Sequence, residues 1–391
     1  MNILFCNYEY PPLGGGGGVV MAALARELAR RHRVTVLTSG AMGLPAVRIE
    51  DGVRVVRVPV FFRKELAVAN FPSMLAYLPM ATLRALNLRK DGAFDLINTH
   101  FVVPTGPLGH MLSLLYGIPN VLSVHGGDLY DPSKASSPHR HAWLRAPIRH
   151  LLKRANALVG QSRNTLEHVR SIYGVHREEE LIPLGIDRPI MPAAAARRDF
   201  GVPEDAFVLV TVGRMVARKA STQLVEAMGA AGRERMHLIM VGDGPEVPAV
   251  RAAAAVAGLA ERVHLLGRVS EERKLQALAL ADLFVSTSQH EGFGLVFLEA
   301  MAFGLPIVCY DHGGQTDFLA TGATGAVLRL NDLAGFTQAL KQMHDRPDLR
   351  QTMSANNRRR VEDYYIDKCA ARYETVFEKA VLAFERRRGA A

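Results

Sequence analysis

Two carboxylates with glycines between them form the densest chemical signal in this chain of 391 residues. They lie in Gln289-His-Glu-Gly-Phe-Gly-Leu-Val-Phe-Leu-Glu-Ala-Met-Ala-Phe-Gly304. Gly292 and Gly294 open a predicted helix, so the free amides of Gly292, Phe293, Gly294 and Leu295 can face a phosphate or sugar hydroxyls. Glu291 precedes that helix and Glu299 stands about two turns in, too far away for the pair to share one proton. Each must then meet a different part of one extended ligand: Glu291 accepts from sugar hydroxyls and Glu299 from a ribose diol. An acid complementing the helix dipole would explain Glu291 alone, but not the apolar sequence around Glu299.

Cations stand at a matching place upstream. Val212-Gly-Arg214 closes a predicted strand and Lys219 follows before a helix. Two fixed cations near a helix start can neutralise a diphosphate. The Asp-x-Asp signature of a metal-held diphosphate is absent. The reading is therefore metal-independent, with neither metal nor cofactor expected and neutralisation left to Arg214 and Lys219. Gly242, in Val241-Gly-Asp-Gly-Pro245, is a weaker signal that a tight turn explains equally well.

In the first half, Pro11-Pro-Leu-Gly-Gly-Gly-Gly-Gly18 follows a predicted strand and leads into a helix. Gly15, Gly16 and Gly17 let the backbone approach a ligand, and the helix start favours an anion. A dinucleotide fingerprint fails, because the frames beginning at Gly14 and Gly15 close on Val19 and Val20 and no acid ends the next strand. A Walker loop is excluded by the lack of any Gly-Lys dipeptide. His100 and His125 end two further strands, the second in His125-Gly-Gly-Asp128. The two glycines lead to the expectation that the ring of His125 faces the ligand, with His100 and Asp128 on the acceptor side.

The elements that must hold these residues alternate. Strands are predicted at residues 3–6, 34–38, 53–58, 95–99, 120–124 and 157–160, then at 207–212, 237–241, 263–266, 283–286 and 307–309. Between the first two, residues 19–31 read as an amphipathic helix. The proline-rich stretch 183–203 reads as a junction, so two doubly wound domains are expected, 1–185 and 186–365, with a final helix at about 366–391 packing back on the first.

Composition bounds the rest. Half of the residues are apolar, enough for a full core. Cys6, Cys309 and Cys369 follow no disulfide or zinc spacing, and no apolar run reaches membrane-spanning length uninterrupted. A cytoplasmic enzyme is the expectation. Residues 1–185 carry 21 Lys and Arg against 13 Asp and Glu, nearly all of the net charge of +9. That excess points to an anionic partner such as a membrane surface or a phosphorylated substrate. Arg145, Arg149 and Lys153 fall on one face of a predicted helix, with Trp143 and leucines elsewhere on it, which fits peripheral docking on anionic headgroups.

Taken in order, the glycine loop, His125-Gly-Gly-Asp128, Ile182-Pro-Leu-Gly-Ile-Asp187, Gly213-Arg214 with Lys219, Gly242-Asp-Gly-Pro245, Leu266-Gly-Arg-Val269 and Glu291 through Glu299 resemble the family 4 glycosyltransferases. The resemblance covers nearly the whole chain. It implies a GT-B fold, two Rossmann-like parallel-sheet domains facing across a cleft, the first for the acceptor and the second for the donor. It further implies a retaining transfer from a nucleotide-diphosphate sugar to a hydroxyl acceptor, lipid-phosphate-linked or a polysaccharide precursor, with no nucleic acid partner. By the same resemblance Arg214 and Lys219 bind the diphosphate, Glu299 the ribose, Glu291 and the amides of residues 292–295 the sugar, and residues around Leu266 to Val269 the base, with His125 beside the reacting sugar. Three positions depart from the family pattern: Leu184 for Asn, Ala220 for Gly and Asp317 for Glu. A sugar-nucleotide hydrolase or epimerase, a glycosyl phosphorylase and a non-catalytic sugar-nucleotide sensor are the alternatives.

Overall fold

The computed structural model describes residues 1–61, 71–134 and 136–389. It divides into two units: Met1–Asp187 together with the chain from Tyr364 onward, and Arg188–Asp363.

Unit 1 contains β1 (Asn2–Cys6), α1 (Gly16–Ala29), β2 (Arg33–Ser39), β3 (Val47–Glu50), β4 (Val53–Val58), α2 (Phe71–Leu88), β5 (Leu96–His100), α3 (Gly106–Tyr116), β6 (Asn120–Val124), α4 (Ala142–Arg154), β7 (Ala157–Gly160), α5 (Arg163–Ser171) and β8 (Glu180–Leu181). Its sheet runs β3-β4-β2-β1-β5-β6-β7-β8 and is parallel except for the β3-β4 hairpin. Ile3, Leu4, Phe5 and Cys6 of the central strand are all buried, as a parallel strand covered on both faces requires. On one side Leu4, Leu37 and Val56 meet Tyr77 and Ala81 of α2 and Leu112 of α3. Another cluster joins Leu122 and Leu158 to Ile148 and Leu152 of α4.

Unit 2 contains β9 (Phe207–Val212), α6 (Thr222–Ala231), β10 (Met236–Val241), α7 (Val247–Val256), β11 (Val263–Gly267), α8 (Glu271–Leu280), β12 (Leu283–Ser286), α9 (Leu295–Ala302), β13 (Ile307–Tyr310), β14 (Gly325–Leu328), α10 (Leu333–Asp345) and α11 (Pro347–Arg360). Its all-parallel sheet has the order β11-β10-β9-β12-β13-β14. In both sheets the chain winds outward from a central strand in two directions, so β1/β5 and β9/β12 are switch points where ligand sites arise beyond the strand ends.

The last helix, α12 (Ile366–Gly389), belongs to unit 1 and packs on α1. Glu374 Oε1 takes Arg31 Nε at 2.7 Å and His32 Nε2 at 2.8 Å. The Tyr373 hydroxyl donates to Ser123 Oγ at 3.1 Å. Gly185 lets the helix approach, since a Cβ there would stand 2.8 Å from Ile366 Cα. Residues 390 and 391 of the predicted tail lie outside the described residues.

Cys6, Cys309 and Cys369 are free and buried, and burial pushes each thiol's pKa up. Among the described residues no helix is long and apolar enough to cross a membrane. With the C-terminal helix included, unit 1 holds 27 Lys and Arg against 18 Asp and Glu, while unit 2 holds 20 against 20. The whole net charge therefore sits on unit 1.

Candidate active site

In unit 2 the chain leaving β9 crosses the chain leaving β10 with bare backbone. The Gly213 amide donates to Val241 O and the Met215 amide to Asp243 O, both at 2.9 Å. A Cβ on Gly242 would sit 2.0 Å from Gly213 O, on a residue whose φ is +131°. Backbone crossing alone thus demands a glycine at 242.

Just beyond lies a pocket whose walls include Gly213, Arg214, Lys219, Ser286 and Thr287. Arg214 is exposed, and its guanidinium makes no hydrogen bond or ion pair among the described residues. Lys219 instead donates its Nζ to Glu291 Oε1. Arg218, which the sequence reading did not single out, lies 3.5 Å from Glu291 Oε2 and donates to Ser288 Oγ at 3.3 Å and to His290 O. Burial pushes the Glu291 carboxyl up, but the charges of Lys219 and Arg218 outweigh it and hold the pKa below its usual value. Glu291 is thus an anion clamped by two cations, with lone pairs still available for further donors.

The backbone around Glu291 is equally fixed. Its amide donates to His312 O at 3.2 Å and its carbonyl accepts from Gly314 at 2.9 Å. Gly294 caps α9 at φ +92°, where a Cβ would strike the Phe297 ring. Phe293 is buried against Phe318, and Gly292 and Leu295 are half-buried. The apolar surroundings expected for Glu299 need correcting. Lys274 of α8 lies 3.0 Å from its carboxylate, although burial still raises the Glu299 pKa. Leu266 stands half-buried one residue before the end of the edge strand β11, and Val269 follows in the loop. Ala220 adopts φ +44°, a left-handed conformation, which explains why glycine suits this position in the family pattern.

Unit 1 assembles a second cluster around His125. The Gln161 side chain donates to the His125 carbonyl and accepts from Nδ1 at 3.1 Å, which puts the ring proton on Nδ1. Nε2 must then accept from His100 Nδ1 at 3.0 Å, and His100 Nε2 from Asn98 Nδ2 at 2.7 Å. One consistent direction of donation runs through the relay, with both imidazoles neutral. Burial lowers the His125 pKa to about 4 and holds His100 well below 6.5.

The expectation that the His125 ring looks outward is therefore corrected: both ring nitrogens are engaged and the residue is 7% exposed. His100, placed on the acceptor side from sequence, is fully buried behind it. Asp128 is committed to backbone amides, Val102 at 2.6 Å and His125 at 2.9 Å. Phe101 stacks on His125 at 4.2 Å with φ +67°, and a Cβ on Gly17 would lie 2.7 Å from its ring. The glycine loop, Phe101 and His125 thus come together. Gly15 donates its amide to Glu9 Oε2 at 3.3 Å and caps α1, whose first turn holds Gly16 and Gly17. Neither Phe101 nor Gln161 carried a sequence signal.

On α4, Arg145 donates to His139 O and Arg149 to Tyr173 O at 2.6 Å, so both guanidiniums are tied to nearby carbonyls. Trp143 is 63% exposed. Among the described residues no three His, Cys, Asp or Glu side chains gather as a metal-holding group.

Two open α/β sheets, each with polar groups gathered beyond the strand ends, have the architecture of the GT-B glycosyltransferases, and known proteins agree. Residues 14–188 match the family described as Glycosyltransferase Family 4, and residues 193–360 match Glycosyl transferases group 1. The chain is 25% identical over 385 residues to the N-acetyl-alpha-D-glucosaminyl L-malate synthase of Bacillus anthracis, covering 94% of each. It is 29% identical over 369 residues to the D-inositol 3-phosphate glycosyltransferase of Acidothermus cellulolyticus, covering 88% of this chain and 81% of that protein. Sucrose-phosphate synthase from Thermosynechococcus elongatus superposes with a TM-score of 0.84 at 21% identity, covering 98% of this chain and 100% of that one. The Anabaena protein HepE, solved with UDP-glucose, gives 0.74 at 20% identity, with 96% and 100% covered. The chain belongs to the family 4 glycosyltransferases.

Proposed function

We propose that the enzyme moves a glycosyl group from a nucleoside-diphosphate sugar to a hydroxyl acceptor with retention at the anomeric carbon and without a metal ion. The observation that carries this reading is the charge balance in unit 2. Arg218 and Lys219 pair with the carboxylate of Glu291, while Arg214, which lines the same pocket as Lys219, makes no ion pair among the described residues, so these four groups carry a net of two positive charges. A diphosphate leaving group supplies the complementary charge. As the bond from the sugar C1 to the phosphate oxygen breaks, the acceptor oxygen forms its bond on the same face, and its proton passes to the departing phosphate. Glu291 then accepts from sugar hydroxyls and Glu299 from the ribose, while unit 1 supplies the acceptor side.

The positive charge of unit 1 supports an acceptor carrying phosphate, such as a lipid-linked or polysaccharide precursor, used by an enzyme working in the cytoplasm at the inner membrane face. The UDP-glucose held by HepE supports a nucleotide sugar as donor.

Thermal-shift screening against nucleotide sugars should find one that stabilises well beyond its bare nucleotide. Arg214→Ala should weaken that donor about tenfold or more, and transfer should persist in EDTA. If no nucleotide sugar outperforms its nucleotide, or if EDTA abolishes transfer, the proposal fails. Donor cleavage at full rate without acceptor would favour a hydrolase instead.

A further inference from the structure

The charge on unit 1 is not spread evenly. A pocket of about 580 Å³ opens at the start of β7, lined by Lys153, Arg154, His176, Arg177 and Arg387, with Glu178 as the acid among its lining residues. Arg177 spends its guanidinium on α4, donating to Leu152 O at 3.1 Å, Lys153 O at 3.2 Å and Ala155 O at 2.7 Å, which closes that helix end. Lys153, Arg154 and Arg387 make no ion pair or side-chain hydrogen bond among the described residues. The acids beside Glu178 are already used, Glu179 by Arg170 at 2.5 Å and Glu180 by Lys379 at 3.3 Å. Four cations thus face one carboxylate around a shared space, and burial together with Arg387 holds the Arg177 pKa below its usual value.

We propose that this pocket is a binding site for a polyanionic phosphate group, separate from the sugar-transfer site. Its net of three positive charges suits a phosphate chain or adjoining phosphate headgroups better than a single carboxylate, and arginine forks match phosphate oxygens. The volume is ample for such a ligand. The pocket lies at the opposite end of β7 from Gln161, roughly 13 Å away at about 3.3 Å per residue, so a ligand here does not meet the His125 relay. The inference does not depend on the donor assignment.

Inorganic tripolyphosphate and lipid vesicles distinguish a soluble phosphate from a headgroup. Calorimetric titration of tripolyphosphate at low salt into the full chain carrying Arg214→Ala silences the cation proposed for the diphosphate. The expected result is binding that weakens about tenfold or more on adding Lys153→Ala, Arg154→Ala and Arg387→Ala. Arg177 stays in place because it closes α4, and circular dichroism verifies the fold. Pelleting with phosphatidylglycerol but not phosphatidylcholine vesicles, lost in the same triple variant, identifies the phosphates as lipid. Triple-variant loss with tripolyphosphate alone identifies a soluble ligand. Binding of neither probe by the protein, or equal binding by the triple variant, overturns the proposal.

Discussion

His125→Asn and Asp128→Asn, compared with the unmodified chain between pH 4 and 6.5, test whether the relay is held as described. An unfolded histidine takes up its proton near 6.5, whereas burial lowers His125 to about 4. Across that window the unfolded chain binds a proton that the folded chain refuses. The stability involved is fully present above pH 6.5 and lost as pH falls toward 4. At about 1.4 kcal/mol per pH unit the displacement is worth about 3 kcal/mol. His100, buried next in the relay and also lowered, adds to the loss. Asp128 acts with the opposite sign. Burial raises it from 3.8 to about 6 against the amides of Val102 and His125, so the folded chain takes up a proton first and gains about 3 kcal/mol as pH falls from 6 to 3.8. Two groups of the loop, His100 and His125, refuse protons on acidification while Asp128 accepts one. His125→Asn should flatten the slope of stability against pH that these groups impose, and Asp128→Asn should steepen it. Urea unfolding at stepped pH, followed by the fluorescence of the sole tryptophan, Trp143 in unit 1, reads the three slopes. Only the slopes matter, since each substitution also shifts the absolute stability. Parallel lines for all three proteins would refute the burial and protonation assigned to this loop.

Two further outcomes follow from close contacts. Gly242→Ala should destabilise unit 2 by about 3 kcal/mol or more, because its Cβ would meet Gly213 O at 2.0 Å on a backbone with φ +131°. Thermal unfolding checks this, and an unchanged melting temperature would contradict the crossing of β9 and β10. Gln161→Leu should remove the acceptor that favours the charged His125 ring and lower its pKa further, whereas Gln161→Glu should set a carboxylate beside Nδ1 and raise it. Transfer by Gln161→Glu should then acquire a pH dependence between 4 and 6.5 that Gln161→Leu does not show; identical pH profiles would remove Gln161 as the positioning residue.

Chemistry that sits on a strand end was legible in the sequence, while chemistry made by pairing was not. The eleven predicted strands form to within a residue because parallel strands buried on both faces read as short, nearly continuous apolar runs. The missed strands lack that reason. Exposed β3 alternates Val-Arg-Ile-Glu on a hairpin edge, β8 is two residues long, and β14 begins at Gly325, where a Cβ would lie 1.8 Å from Ile307 O. The same division runs through the site. Arg214, Lys219, His125 and Glu291 follow strands and carry their own signal, but the partner of each depends on which strand neighbours which. Glu291 meets Arg218 and Lys219 because β12 pairs with β9, and Gln161 reaches His125 because β7 pairs with β6. Strand order is a property of the folded sheet, invisible in any local window. That is why Lys274, one helix away, gives no sign of being the partner of Glu299, and why His125 reads as an outward-facing ring although both its nitrogens are committed. Among the described residues, Arg214 in one unit and Lys153, Arg154 and Arg387 in the other stay unpaired once those partners are in place, which leaves their charge to offer a ligand.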